Sequence, residues 1–384
     1  MRTQNLHRGP IRAWLALAVF VALSCSGAWA EAGRDASCTP SFPLEAGVAN
    51  GWQGADVGYS IPLKDGRDLW IFGDTLYGKQ RVVHGEIPVM VHSSLGISTC
   101  EAGKWKVNYF LRRDAKGRPV SFFHEQRPGT YYWAMGGFRA GSDVWITLLC
   151  VKPAPAQSAA MAFATCGTDL ARLSDLGPDP LKWKVKYFPL VADGAKAYPS
   201  ATSVVRDGNA EIFALYETGT RPLLASRIPL NGLNDPKGNL EYLAKDGKWK
   251  KGFDPASAQE VMKKGSPELS IVYHPDLHKW LAVMFEPDGF SRKILLKSAP
   301  TSTGPWTDGQ VIYEVPEMDP NSPSYDKETF CYAGKEHPEF EHGDLVFTYA
   351  CNTFSMSKLA SNLKLYFPRA VRMPMPKLQT GGEK

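Results

Sequence analysis

Short apolar runs rich in Trp and Phe recur along the chain at nearly constant spacing, with acidic or polar side chains clustered at their ends. They are Leu69-Trp70-Ile71-Phe72, Val144-Trp145-Ile146, Ile212-Phe213-Ala214-Leu215, Trp280-Leu281-Ala282-Val283 and Leu345-Val346-Phe347. From Trp70 to Trp145, Phe213, Trp280 and Val346 the steps are 75, 68, 67 and 66 residues. A short apolar run bounded by turn signals reads as a buried strand. Before three of these runs stands a further strand and a tight turn: Ser60-Ile61-Pro62-Leu63 with Lys64-Asp65-Gly66-Arg67, Ser203-Val204-Val205 with Arg206-Asp207-Gly208-Asn209, and Ile271-Val272-Tyr273 with His274-Pro275-Asp276. Asp-Gly and Pro-Asp between apolar runs are hairpin signals. A third strand is expected at 95–98, 161–165, 223–228, 294–298 and 363–366, and residues 151–160, rich in Pro and Ala, read as a loop. Helical periodicity is absent apart from a turn around 257–264. The pattern predicts an all-β chain folded as a five-bladed β-propeller, which gathers one residue from each repeat around a single axis.

The N-terminus follows a different rule. Arg2, Arg8 and Arg12 precede an apolar stretch at 13–23, and Ala28-Trp29-Ala30 offers a small-x-small cleavage site. This reads as a secretory signal peptide over 1–30, cleaved after Ala30, with residues 31–384 as a single catalytic propeller domain. A lipid anchor at Cys25 fits less well, because Ala22 is not the usual residue three positions before such a cysteine. No later stretch is long and apolar enough to span a bilayer. Removing the signal's three arginines from the 44 basic residues leaves 41 against 39 acidic ones, a charge of +2. With no basic run remaining, nucleic acid and anionic membrane are poor candidates as partners, and no nucleic-acid partner is expected.

Of seven cysteines, six follow Ala30, and an even number in an exported chain favours disulfides over metal ligation. Cys150 with Cys166 and Cys331 with Cys351 fall on neighbouring strands, which leaves Cys38 with Cys100. Six cysteines allow 15 pairings, and this is the one expected. The compartment it implies is periplasmic or extracellular.

Superposing the repeats turns the pattern into candidate chemistry. The entrance of the first strand carries Asp56, Ser200, Glu268 and His337, and in the second repeat Tyr132-Trp133. The end of the second strand carries Asp74, Glu217, Glu286 and Asn352. Paired carboxylates across a polar cleft are what glycosidic hydrolysis requires, one protonated to assist the leaving oxygen and one ionised to activate water or attack the anomeric carbon. Asp56, Asp74 and Glu268 are the candidates, set against the ordinary role of acids in capping turns. His337 reads as a hydrogen-bonding residue of the channel. Glu339, Glu341 and His342 stand near it, but Pro338 interrupts the strand and the spacing matches no metal motif. Trp52, Gln53, Tyr132, Trp133 and Tyr198 lie at strand entrances, where aromatic faces can stack on sugar rings. No nucleophile elbow, zinc-protease motif, phosphate loop or dinucleotide fingerprint occurs. Ser355-x-x-Lys358 is taken as chance.

Four segments, Gly-Ala-Asp56-Val-Gly-Tyr-Ser-Ile-Pro-Leu, Leu-Trp-Ile-Phe-Gly-Asp74-Thr, Ser-Pro-Glu268-Leu-Ser-Ile-Val-Tyr and Tyr-Ala-Gly-Lys-Glu-His337-Pro-Glu, resemble a known group. The chain is similar over residues 45–370 to bacterial propeller domains long of unknown function, some placed in glycoside hydrolase family 183, the endo-D-arabinanases. That resemblance implies an endo-acting hydrolase of α-D-arabinofuranoside linkages in arabinan-type polysaccharide or oligosaccharide. In it Asp56 would be base or nucleophile, Glu268 the proton donor and Asp74 a pKa-tuning acid. His337, Glu217, Trp52, Gln53, Tyr132, Trp133, Tyr198, Ser200 and Asn352 would bind substrate. It implies no organic cofactor, leaves room for a structural cation in the channel, and suggests a monomer. The rival readings are a non-catalytic glycan-binding propeller and a different furanosidase, such as an α-L-arabinofuranosidase.

Overall fold

Each apolar run forms the second strand of an antiparallel sheet. The computed structural model describes residues 38–42, 51–78, 89–155, 162–216, 220–287 and 289–378. Among these residues, five larger sheets follow one another along the chain. The first joins Tyr59–Pro62, Asp68–Phe72, Ser94–Glu101 and Lys104–Phe110, and the second Tyr131–Ala140, Asp143–Pro153, Phe163–Ser174 and Lys184–Val191. The third is built on Ala197–Arg206, Asn209–Tyr216 and Leu223–Pro229, extended by Glu241–Leu243 and Trp249–Lys251. The fourth joins Leu269–His274, Lys279–Phe285, Lys293–Ala299 and Gln310–Glu314, and the fifth Thr329–Glu336, Asp344–Thr353 and Arg369–Pro374. The chain is all-β, and the described α-helices are the short Pro236–Asn239 and Met356–Ser361.

Alternation within the apolar runs decides how the sheets stack. Side chains of a strand point to opposite faces in turn. Leu69 and Ile71 pack with Ile146 and Leu148 of the second sheet, whereas Trp70 and Phe72 pack with Val346 of the fifth. Trp145 turns instead to Ile212 of the third sheet. Phe213 and Leu215 meet Ala282 and Met284 of the fourth, while Leu281 and Val283 meet Leu345 and Phe347 of the fifth. Every second strand thus serves two apolar layers, and the fifth sheet packs against the first as well as the fourth. Burying each such large side chain stabilises by about 1.5–3 kcal/mol. Polar ties follow the same order: Arg139 donates to the Pro62 carbonyl at 3.1 Å, Arg206 to Ser302 Oγ at 2.9 Å, and Ser60 Oγ lies 2.5 Å from His337 Nδ1.

The turns take the backbone that their residues allow. Asp207 and Gly208 adopt φ of 47° and 73°, the pair of positive values that a tight hairpin turn needs. All three expected disulfides are present: Cys38–Cys100, Cys150–Cys166 and Cys331–Cys351. No helix among the described residues is long and apolar enough to cross a membrane. The signal segment and Cys25 lie outside the described residues.

Several element boundaries differ from expectation. Residues 363–366 form a turn, and the third strand of the fifth sheet is Arg369–Pro374. Tyr366 has φ of 64°, a left-handed conformation that ends any extended run. Residues 151–153 belong to the strand Asp143–Pro153, and its partner Phe163–Ser174 extends well past 165. Residues 257–264 are not helical, since Glu260–Met262 pairs as a strand with Leu223–Pro229.

Bulges interrupt the first strands of three sheets. Register shifts occur between Ala134 and Gly136, between Pro199 and Thr202, and between Tyr332 and Lys335. In the first and fourth sheets pairing begins only at Tyr59 and Leu269, so Asp56 and Glu268 stand just ahead of their strands. An extra residue in a strand re-aims the side chains beside it. Tyr332 and Lys335, which would face opposite ways in a regular strand, are both turned toward Asp56.

Candidate active site

Asp56 and Asp74 are fixed to each other through the backbone. The Asp56 amide donates to the Asp74 carbonyl at 3.3 Å, and the Gly73 amide to the Asp56 carbonyl at 3.3 Å. Val57 and Gly58 then follow with φ of 71° and 63°, turning the chain into its first strand. A left-handed β-branched residue is strained, and such strain gathers where a site over-determines the backbone. Ala333 and Tyr366 are also left-handed, at φ of 58° and 64°. Both belong to the wall of the same site. The Tyr332 hydroxyl donates to Asp56 Oδ2 at 2.8 Å, and the Tyr366 hydroxyl lies 3.5 Å from the same oxygen. Asp56 Oδ1 is buried without a hydrogen-bond partner.

The second acid has its own supports. Asp74 Oδ1 accepts from Trp133 Nε1 at 3.0 Å and lies 2.8 Å from His92 Nδ1. Tyr131 stacks on His92 with centroids 3.7 Å apart, and Trp133 packs edge-on to Phe163 at 4.6 Å. On the other side, Tyr332 stacks on Phe330 at 5.7 Å, and Phe330 meets Phe290 and Phe354 at 4.6 and 4.4 Å. Phe290 and Phe354 are exposed. Aromatic surfaces therefore extend outward from both aspartates.

Lys335 completes the centre. It is wholly buried, donates to the Met135 carbonyl at 3.0 Å and lies over the Tyr59 ring at 4.8 Å. Burial depresses its pKa, while the charges of Glu268 and Asp56 oppose that change. Burial raises the pKa of Glu268, and Lys335 pulls it back. Asp56 is pushed well above the usual carboxylate range by burial, then by the charges of Asp74 and Glu268, against the lowering effect of the two tyrosine hydroxyls. A carboxyl set between two like charges is biased toward keeping its proton. Asp56, flanked by Asp74 and Glu268, is that group. Lys335 favours the ionised form of Glu268.

The structure brings together Asp56, Asp74, Glu268 and Trp133, with Asn352 Nδ2 3.5 Å from the Tyr332 hydroxyl. It places His337, Trp52, Gln53 and Tyr132 elsewhere. His337 does not stand at a strand entrance: it follows Thr329–Glu336 at the far end of the strand. It is buried there between Ser60 and Thr348 Oγ1, the latter at 2.7 Å, and burial drives its pKa down to about 3. It is a neutral hydrogen-bonding residue of the interior, and Pro338–Phe340 is a 3-10 turn, so 337, 339 and 341 share no strand face. Trp52 is fully buried and stacked on Tyr109 at 4.0 Å. Gln53 Nε2 donates to the Gly78 carbonyl at 2.9 Å. Tyr132 is buried with its hydroxyl on Asp169. These three side chains are buried in packing and internal hydrogen bonds. Ser200 Oγ donates to the Tyr198 carbonyl at 3.2 Å, and Tyr198, half-buried, packs beside Trp133 and Phe163. Glu217 lies outside the described residues.

Sequence reasoning missed Tyr332, Lys335, Tyr366 and His92. Two of these stand in the same segment as His337. A bulge decides which residues of that segment face the acids, and the residue pattern does not show it.

Among the described residues, two groups could hold a metal by composition. Cys331 and Cys351 beside Glu317 are disulfide-bonded and offer no thiolate. His274, Glu336 and Glu341 stand at the opposite strand ends from the acids, with one ligand atom of each within 4.8 Å of the others.

The sequence profile of a family described as Domain of unknown function (DUF5005) matches residues 47–373. No curated protein sequence matches the chain. Among solved structures, a presumed hydrolase from Bacteroides ovatus is similar with a TM-score of 0.63 and 18% identity, covering 84% of this chain and 86% of that one. An exo-β-1,3-galactanase from Phanerochaete chrysosporium aligns with a TM-score of 0.47 and 14% identity over 84% of this chain, which spans 60% of the galactanase chain. The catalytic domain of a GH62 α-L-arabinofuranosidase from Coprinopsis cinerea aligns at 0.43 and 11% identity, covering 83% and 88% of the two chains. At these identities the likeness to the Bacteroides protein is one of fold.

Proposed function

The chain belongs to the DUF5005 family, and on that footing we propose that it is a secreted glycoside hydrolase that cleaves α-D-arabinofuranoside linkages within arabinan-type glycans. The observation that carries this reading is the electrostatic setting of Asp56, buried between Asp74 and Glu268 and held by Tyr332, with Lys335 beside Glu268. It biases Asp56 toward keeping its proton while Lys335 supports the charge of Glu268, the asymmetry that glycosidic cleavage needs. The aromatic surfaces on both sides suit a chain of sugar rings, and the resemblance to family 183 supplies the identity of the sugar. Three disulfides fit an exported protein. The sheets read as five propeller blades, since each packs on its neighbours in order and the fifth meets the first.

The electrostatics exchange the roles expected for the two acids. Asp56 donates its proton to the leaving oxygen. Glu268, its charge supported by Lys335, activates water or attacks the anomeric carbon. Asp74, fixed by Trp133 and His92, keeps Asp56 protonated by its own charge. A panel of polysaccharides with chromatography of the products tests the reading. The expected result is release of oligosaccharides from D-arabinan. Binding without product would make the protein a glycan-binding propeller, and release of L-arabinose alone would make it a different furanosidase.

A further inference from the structure

A second constellation lies away from the acids, where the first strands of the fourth and fifth sheets end. His274 closes Leu269–His274, Glu336 closes Thr329–Glu336, and Glu341 follows the 3-10 turn Pro338–Phe340. His274 Nε2 lies 2.6 Å from Glu336 Oε1, and His274 Nδ1 lies 4.0 Å from Glu341 Oε2. The backbone holds the two acids in place. The Glu336 amide donates to Ser270 Oγ at 2.9 Å, and Glu341 Oε1 accepts from the Val346 amide at 3.1 Å.

The cluster is rich in acids, and among the described residues His274 is the one basic group paired with them. The Glu336 side chain has no exposed surface, and its Oε2 is buried with no hydrogen-bond partner. Beside it stands Glu341, a second carboxyl whose side chain hydrogen-bonds to that of Glu336, and Glu339 lies close enough to act on Glu336. Among the described residues no lysine or arginine ion-pairs with Glu336 or Glu341. Buried carboxylates without a cation are costly, and proteins resolve them with partners or metals. His274 and Glu341 keep a little exposed surface, 11% and 9% of their side chains, which leaves an approach from solvent.

We propose that His274, Glu336 and Glu341 form a zinc site that pins the fourth sheet to the fifth. One imidazole nitrogen and two carboxylate oxygens are a three-ligand set that Zn²⁺ accepts, with the solvent side left for water. Calcium and magnesium ask for about six or more oxygens and fit poorly. The ion would supply positive charge and a partner for Glu336 Oε2. The site is independent of glycan hydrolysis, being at the other end of the strand that Glu268 precedes.

Zinc chloride added to the chelator-treated mature protein tests this by calorimetry, metal analysis and melting. The expected result is one zinc per chain and a rise in Tm of roughly 5 °C at zinc about a hundredfold above Kd, with no rise from calcium. Glu336→Gln and His274→Gln should weaken zinc binding at least tenfold and abolish the rise in Tm. Should either fail to fold, Glu341→Gln decides, with its fold checked by circular dichroism without metal. Absence of saturable zinc binding, or binding undiminished in the folded variants, overturns the proposal.

Discussion

Gly73 leaves the space that the Asp56 carboxyl fills. A Cβ at residue 73 would lie 2.4 Å from Asp56 Oδ1 and 2.9 Å from Val57 Cγ2, closer than carbon approaches either atom. The glycine is thus needed for close approach. Gly73→Ala should fold, because its backbone bonds to Asp56 remain, but it should push the carboxyl out of place. A displacement of about 1 Å costs on the order of a hundredfold in rate. The expected outcome is that loss in kcat/KM with little change in Tm.

Tyr332→Phe removes the hydroxyl that donates to Asp56 Oδ2. That hydrogen bond lowers the pKa of Asp56, so its loss raises it. As proton donor Asp56 works while protonated, and the rate falls as pH rises through its pKa. The alkaline limb of the kcat/KM profile should therefore move to higher pH in Tyr332→Phe. Movement to lower pH would argue against Asp56 as the donor.

Lys335→Met acts on the other limb. Lys335 lowers the pKa of Glu268, and without it burial acts unopposed. Glu268 works ionised, so the rate rises as pH rises through its pKa. The acidic limb should move to higher pH. Where the acidic limb reaches neutral pH, kcat should fall by up to about tenfold for each tenfold gain in proton affinity. A profile measured from about pH 4 to 9, spanning both limbs, reads the two effects.

The repeat was legible because it is written in side chains. Alternation in runs such as Leu69-Trp70-Ile71-Phe72 is a direct consequence of serving two apolar layers, and it survives in the sequence. Asp56 and Glu268 were legible for a related reason, since they follow Gly54-Ala55 and Ser266-Pro267 just ahead of paired strands. Tyr332 and Lys335 were not. Their common orientation depends on one extra residue around Ala333, and a bulge carries no reliable sequence mark. His337 was misplaced for the same reason. The repeat spacing fixes the second strand but not the length of the first, and Thr329–Glu336 begins earlier than superposing the repeats implies.

His337→Gln checks that correction. The imidazole is buried between Ser60 and Thr348, so its loss disturbs two internal hydrogen bonds. Leaving a buried group unsatisfied costs about 1–3 kcal/mol. A lower Tm with kcat close to wild type is the expected outcome. A fall in kcat/KM without destabilisation would return His337 to the substrate-binding channel.

Hydrolysis by Asp56→Asn and Glu268→Gln tests the central claim most directly, measured on D-arabinan and on an aryl arabinofuranoside with a good leaving group. Both variants should lose about 10²–10⁴ in rate on arabinan, the range for removing a general acid or base. Asp56→Asn should keep most of its activity on the aryl substrate, which needs no protonation, whereas Glu268→Gln should lose it on both. Full activity of either variant on arabinan would contradict the account.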